Sequence, residues 1–316
     1  MKLPKHKKNN STFEIKILTK EETLSIQNIW RECFTPDIQY INNFIEICFP
    51  YSISWGLFLN NSKDAIAMLS LLPSYVLFKN NSGGSKRING AYLYGVGTLK
   101  EHRGNKYSSI LVNEVISYSK KNSLDYILVK PAEDSLFDLY QKQTFDNLLY
   151  CYKVEVELNK TFNLDSNFNK LNSYTSHLKL RESIAATNFL WPNEILRYSL
   201  MEIESRNGTT RYLDNWHEAP LFYSAYPSED ETQIVKIIDH NINSPKGLES
   251  VINDISLSFP SSAKALIEFP ITTNMDLFNE YSNKPLITKN ALIKTLTPER
   301  EIVQALLEMH LTLSME

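Results

Sequence analysis

Cysteine is scarce in this 316-residue chain, and what there is does not form a framework. Cys33, Cys48 and Cys151 are odd in number and far apart, which fits a reduced, cytoplasmic setting better than a disulfide-stapled secreted one. No apolar run is long enough to cross a bilayer. The most apolar stretch, residues 65–78, is broken by Ser70, Pro73 and Ser74 and reads as strand and turn, so no membrane partner is expected. Residues 1–10 are basic but lack the apolar centre of a signal peptide, and read as a solvated tail. Charge excess is also missing: 33 Lys and Arg stand against 36 Asp and Glu, a net of -3. That balance gives no reason to expect nucleic acid. The six histidines (His6, His102, His177, His217, His240, His310) include no pair at metal-ligand spacing, so no metal is expected. There is no Gly-x-Ser-x-Gly elbow and no Walker sequence, which removes two large classes of hydrolase.

What the chain does hold is Ala91-Tyr-Leu-Tyr-Gly-Val-Gly-Thr-Leu99, then Lys100-Glu-His-Arg-Gly-Asn-Lys-Tyr-Ser108, then Ser109-Ile-Leu-Val-Asn-Glu-Val-Ile116. The first part is apolar on both faces, as a central strand requires. From Tyr107 the apolar residues fall at Ile110, Leu111, Val115 and Tyr118, the spacing of one helix face. A buried strand therefore runs through a tight polar turn straight into a helix. A helix N-terminus carries unpaired N–H groups and a partial positive charge, and so favours a phosphate-bearing ligand. Arg103 and Lys106 add two formal charges there. Gly104, lacking a Cβ, permits a sharp turn and a close approach to the backbone.

Arg103-Gly104-Asn105-Lys106-Tyr107-Ser108, with its strand before and helix after, resembles the acyl-CoA signature of the GNAT superfamily of N-acyltransferases. Lys106 stands where the usual pattern has a second glycine. A left-handed backbone at that position would cost a lysine about 1 kcal/mol. The resemblance implies a pyrophosphate seated on the main-chain N–H groups of Gly104, Asn105, Lys106, Tyr107 and Ser108, beside the Arg103 and Lys106 side chains. It implies main-chain contacts from Val96 and Thr98 to the pantetheine arm, with acetyl-CoA as co-substrate. Leu136-Phe-Asp-Leu-Tyr-Gln-Lys-Gln-Thr-Phe145 is similar to the family's Leu-x-x-x-Tyr-x-x-x-Gly-Phe segment, which makes Tyr140 the acid that protonates the departing thiolate. Thr144 replaces the glycine of that segment.

The element order over residues 11–158 reads β-α-α-β-β-β-α-β-α-β. Thr19 and Glu22 mark a capping box, followed by a helix expected to bury Leu24, Ile26, Ile29, Trp30 and Phe34. Strands are expected over 53–59, 65–72, 74–78 and 87–99, with 80–85 as a flexible turn. Length and order predict an α/β (α+β) chain: a GNAT domain over 1–158 with a mixed central sheet and helices on both faces, a linker over 159–176, and a second, degenerate GNAT-like module over 177–316. In that second half the strand at 233–238, the helix carrying Leu248, Val251, Ile252 and Ile255, and the strand at 263–269 echo the first half. The turn Asp239-His-Asn-Ile-Asn-Ser-Pro-Lys-Gly247 has no Arg-Gly pattern and is expected to form no phosphate cradle. The layout is similar to acetyltransferases of the enhanced-intracellular-survival kind.

Acyl transfer to an amine needs a neutral amine, a stabilised oxyanion and a proton for the thiolate. For the base, Glu32, Glu46, the terminal carboxylate of Glu316 and water all stay open. The acceptor is expected to be an amine of a small molecule or peptide, and a homo-oligomer stays open. A non-catalytic CoA-binding or sensory protein on the same scaffold is the alternative reading, motivated by Lys106 and Thr144. A transferase drawing on aminoacyl-tRNA is disfavoured by the near-neutral charge. Trp191 and Trp216 read as packing residues rather than a substrate box.

Overall fold

Thr19 ends the first long strand and starts the first helical turn, as its spacing to Glu22 dictates. The Thr19 side chain accepts from the Glu21 N–H, and Glu22 Oε2 accepts from the Thr19 N–H at 2.8 Å. The computed structural model describes residues 6–8, 11–34, 37–60, 62–79, 84–158, 167–171, 173–184, 187–214, 216, 220–229, 231, 233–278, 281, 285–309 and 311. Most of the basic tail, residues 80–83 of the expected turn, residues 159–166 of the expected linker, His217, His310 and Glu316 lie outside the described residues. The chain divides into two compact units. One comprises Met1–Tyr75, Asn89–Asn147 and Leu292–Glu299; the other comprises Val76–Ile88, Leu148–Ala291 and Arg300–Glu316.

The first unit draws on β1 (His6–Lys8), β2 (Ser11–Ile17), α1 (Thr23–Phe34), α2 (Ile38–Asn43), β3 (Ile53–Leu59), β4 (Ala65–Lys79), β5 (Ser85–Thr98), α3 (Tyr107–Lys121), β6 (Tyr126–Val129) and α4 (Asp134–Gln141). Strands β1, β2, β3 and β4 pair antiparallel in succession, and β5 pairs parallel with β6 across the α3 crossover that a parallel pair requires. Residues 65–72 and 74–78, expected as two strands, form the single strand β4. The polar interruptions find partners: Ser70 Oγ lies 2.7 Å from Ser54 Oγ and Ser74 Oγ lies 2.9 Å from the Tyr126 hydroxyl. Helix α1 buries Ile26, Ile29 and Trp30, whereas Leu24 is 61% and Phe34 44% exposed. At 3.6 residues per turn, Leu24 stands about 160° round the helix from Ile26, off the buried stripe. After α2 the chain widens into a π turn over Phe44–Cys48 and a 3-10 turn over Phe49–Tyr51 that carries Pro50.

The sequence left residues 286–295 unassigned. They form β14 (Leu286–Thr295), of which residues 292–295 pair antiparallel with β6, Leu292 opposite Val129 and Thr295 opposite Tyr126. The first unit thus completes its sheet with a strand from near the chain's C-terminal end.

In the second unit the elements are β7 (Asn147–Glu157), β8 (Asn169–Lys170), α5 (Tyr174–Ser183), β9 (Asn188–Leu190), α6 (Asn193–Ser205), β10 (Thr209–Leu213), β11 (Leu221–Pro227), β12 (Ile234–His240), α7 (Pro245–Ser258), β13 (Lys264–Pro270) and α8 (Arg300–Glu308). Strands β7, β13, β12, β11, β10 and β8 adjoin in that order, and only β12 and β13, joined by α7, run parallel. Leu248, Val251, Ile252 and Ile255 of α7 pack on Val235, Ile237 and Ala265 of those strands. A buried ionic group ties α5 to β12. Arg181 donates to the Asp239 carboxylate and to the Phe189 carbonyl, and His177 Nε2 lies 2.8 Å from Asp239 Oδ2. Desolvation opposes the Asp239 charge, but Arg181 and His177 outweigh it and hold that carboxyl well below the usual range.

Candidate functional site

The turn between β5 and α3 changes character half-way. In its first part the protein satisfies its own main chain. The Lys100 N–H donates to the Glu32 carboxylate, the His102 N–H to the Leu99 carbonyl at 2.9 Å, and the Arg103 N–H to the Lys100 carbonyl at 3.3 Å. From Gly104 to Ser109, no main-chain N–H finds an acceptor among the described residues. The Ile110 N–H makes the first helical bond, to Lys106 at 3.1 Å. No side chain caps α3. Gly104 at φ 82 and Lys106 at φ 62 are both left-handed, the backbone pattern in which successive N–H groups form an anion-binding concavity. Nothing lies within 4 Å of where a Cβ on Gly104 would stand.

Arg103, Gly104, Asn105 and Lys106 are exposed, and Tyr107 and Ser108 are half-buried. Arg103 is anchored at its base: its Nε–H donates to the Thr98 carbonyl at 3.0 Å, and a terminal nitrogen lies 3.8 Å from Cys33 Sγ. The Cys33 thiol donates to the same carbonyl at 3.3 Å. Asn105 closes the turn with a side-chain bond to the His102 carbonyl at 3.1 Å.

Above the turn, β5 and β6 part company. Their parallel register covers Gly90–Tyr126, Ala91–Ile127 and Tyr92–Leu128, while β5 continues to Thr98. Beyond that register β5 runs on through half-buried Val96 and Thr98. Two glycines let α1 approach that stretch. A Cβ on Gly97 would lie 2.8 Å from Ile29 Cγ2, and one on Gly95, at φ 59, would lie 3.1 Å from the Trp30 ring. Trp30 stacks on Phe44 at 4.4 Å between centroids, and the Tyr40 and Tyr94 hydroxyls share a hydrogen bond.

Tyr140 sits near the end of α4, 5% exposed. Its hydroxyl has no hydrogen-bond partner among the described residues, and burial pushes its phenol well above the ordinary tyrosine range. It keeps its proton at neutral pH and can donate it. The helix end that holds it is a Schellman turn: the Phe145 N–H donates to the Tyr140 carbonyl at 3.2 Å and the Thr144 N–H to Gln141 at 3.0 Å. Thr144 takes the left-handed position at φ 70, and Phe145 packs edge-on against Tyr140 at 5.8 Å. Gln143 Nε2 reaches Ser109 Oγ at 3.0 Å, joining this helix end to the first turn of α3.

The sequence pattern of the Acetyltransferase (GNAT) family matches residues 23–145. These residues are a GNAT domain. Solved structures extend the likeness in fold over most of the chain. A conserved Enterococcus faecalis protein described as a "Probable N-Acyltransferase" superposes with a TM-score of 0.71 at 12% identity, covering 90% of this chain and 72% of that one. Eis1 from Mycobacterium abscessus gives 0.63 at 11%, covering 90% and 74%. Saccharomyces cerevisiae N-myristoyltransferase with bound myristoyl-CoA gives 0.54 at 10%, covering 90% and 79%. No curated protein sequence matches the chain.

Within the GNAT domain, the six residues Arg103, Gly104, Asn105, Lys106, Tyr107 and Ser108 form one continuous turn, with Thr98 joined to it through Arg103. Of the carboxylates left open as bases, Glu32 is bonded to the Lys100 N–H, and Glu46 is exposed on the π turn. Among the described residues no three His, Cys, Asp or Glu side chains converge as a metal site, and no helix is long and apolar enough to cross a membrane.

The corresponding region of the second unit is closed by its own side chains. Ser244 caps α7, accepting from the Gly247 N–H at 3.2 Å. Where β12 and β13 separate, past Ile237 and Ile267, buried His240 bridges them: its Nε2–H donates to the Glu268 carbonyl at 3.0 Å and its Nδ1 accepts from Ile242. Burial lowers the His240 pKa, and both ring nitrogens are engaged by a neutral imidazole.

Three residues of the first site carried no sequence signal of their own: Trp30 and Cys33, which stand at ordinary helix positions, and Gln143, one unmarked position of the segment from Leu136 to Phe145. Thr144 gives a direct test of the helix end that holds Tyr140. A β-branched residue is disfavoured in a left-handed backbone by about 1 kcal/mol. Thr144→Gly should therefore raise unfolding stability by about that amount, read as a shift in the urea midpoint at unchanged slope. A lower midpoint would mean that the Schellman turn is not the native one.

Proposed function

We propose that this protein is an N-acetyltransferase that moves an acetyl group from acetyl-CoA to a primary amine of a small molecule or peptide. The observation that carries this reading is the run of unpaired N–H groups from Gly104 to Ser109, opening α3 beside two exposed cations. A diphosphate needs donors and positive charge in a small volume, and this turn offers both. Arg103, Gly104, Asn105, Lys106, Tyr107 and Ser108 would hold the pyrophosphate. The length of β5 beyond its register with β6 would take the pantetheine arm on the main chain of Val96 and Thr98. Because Thr98 also carries Arg103 on its carbonyl, strand end and cation are set together.

A short acyl group is favoured by the filling behind Gly95. Trp30, Phe44 and Tyr94 are buried there and back this part of β5 with solid aromatic packing. In the reaction the amine nitrogen attacks the thioester carbonyl, and the tetrahedral intermediate collapses to an amide and a thiolate. Tyr140 gives its proton to the sulfur, and the proton lost by the amine passes to solvent. Lys106 and Thr144 depart in residue type from the family pattern, but both take the left-handed conformation a glycine would supply. That supports a working enzyme over a binding protein on the same scaffold. The capped α7 and the His240 bridge support a second, degenerate module and one donor molecule per chain.

A thiol-release assay with acetyl-CoA against a panel of polyamines, aminoglycosides, amino sugars and peptides tests the activity. Tyr140→Phe keeps the ring and its packing, so acetyl-CoA affinity should hold while turnover falls by roughly 10²-fold or more. Turnover at the parent rate would move the acid elsewhere. Arg103→Glu should weaken acetyl-CoA binding by about tenfold or more in calorimetry, because a charge reversal would face a pyrophosphate. An unchanged titration would remove the donor assignment, and CoA binding by the parent without turnover on any amine would favour the binding-protein reading.

A further inference from the structure

Gln143 stands three residues after Tyr140 and is 8% exposed. One end of its carboxamide meets Ser109 Oγ at 3.0 Å; the other, Oε1, is buried with no hydrogen-bond partner. Because a hydroxyl can give or accept, either end of the amide can face Ser109, and in both orientations one arm has nothing to bond. Buried polar atoms are nearly always satisfied, so a buried carboxamide with one idle arm asks for an absent partner. Ser109 lies in the first turn of α3, where its own N–H and those of the five residues before it also have no acceptor. The idle arm thus belongs to a side chain bonded at the helix end that carries the idle N–H groups, and Tyr140 stands three residues before Gln143, near the end of α4.

We propose that Gln143 is a donor-binding residue whose free amide arm hydrogen-bonds a secondary amide of the pantetheine arm. A secondary amide presents both an N–H and a carbonyl, so it complements whichever end of Gln143 is turned toward it. The proposal rests on the reading of residues 104–109 as the pyrophosphate seat. It extends that reading by placing a side-chain contact between the phosphate end of the ligand and Tyr140.

Gln143→Leu removes the polar arm while filling its space, and Gln143→Met serves if leucine does not fold. Both are compared with the parent by thermal unfolding and by titration with CoA and with adenosine 3′-phosphate 5′-diphosphate, the nucleotide end of CoA without its pantetheine arm. The expected result is an unchanged or raised melting temperature, CoA affinity weakened by about tenfold as for loss of one buried hydrogen bond, and nucleotide affinity unchanged. Unchanged CoA affinity would overturn the proposal, since the idle arm would then serve only a trapped water. Equal weakening for both ligands would also overturn it, because Gln143 would then act through Ser109 on the phosphate seat. If the parent binds the nucleotide but not CoA, the pantetheine contact alone fails; if it binds neither, the donor-site reading falls with it.

Discussion

A helix that begins without a cap leaves its first N–H groups in want of an acceptor, and α3 begins in that way after a turn that is itself unpaired from Gly104 on. Much of the first unit is arranged around that deficit. Glu32 holds the front of the turn, Arg103 fastens it to the end of β5, and Gln143 brings the Tyr140 helix against its far side. Gly95 and Gly97 let α1 close on β5 beyond its register with β6. Lys106 and Thr144 hold left-handed backbones that a lysine and a threonine adopt only at a cost of about 1 kcal/mol each. Strain of that kind persists where surrounding structure fixes the backbone, and it often accompanies a binding site.

The second unit shows the same strand–helix–strand order with the deficit removed. Ser244 supplies the cap that α3 lacks, Pro245 follows it, and His240 fills the gap between the parallel strands with both nitrogens bonded. Asp239, at the strand end, is consumed by Arg181 and His177. A few side chains at one turn thus decide whether the N–H groups of such a turn stay open or are capped from within.

The strand, the turn and the helix around Arg103 were legible in the sequence because each is local: strand alternation, a Gly turn and helical spacing fall within thirty residues. The capping box at Thr19 and the position of Tyr140 were legible for the same reason. Strand β14 was not, since its pairing with β6 joins residues some 160 positions apart and nothing near Leu292 announces it. Ser70 and Ser74 suggested a broken strand because their partners, Ser54 and Tyr126, are visible only in three dimensions. Gln143 carries no local signal, since a glutamine at a helix end is ordinarily solvated. Its burial depends on Ser109, thirty-four residues earlier.

The central claim, that the N–H groups opening α3 receive the phosphates of an acyl-CoA, is tested most directly by amide hydrogen exchange with and without acetyl-CoA. Exchange at residues 104–109 should slow markedly on adding the ligand, because free N–H groups gain acceptors, while residues 245–248 at the start of α7 should not change. Protection at 245–248, or bound acetyl-CoA with no protection at 104–109, would contradict the account.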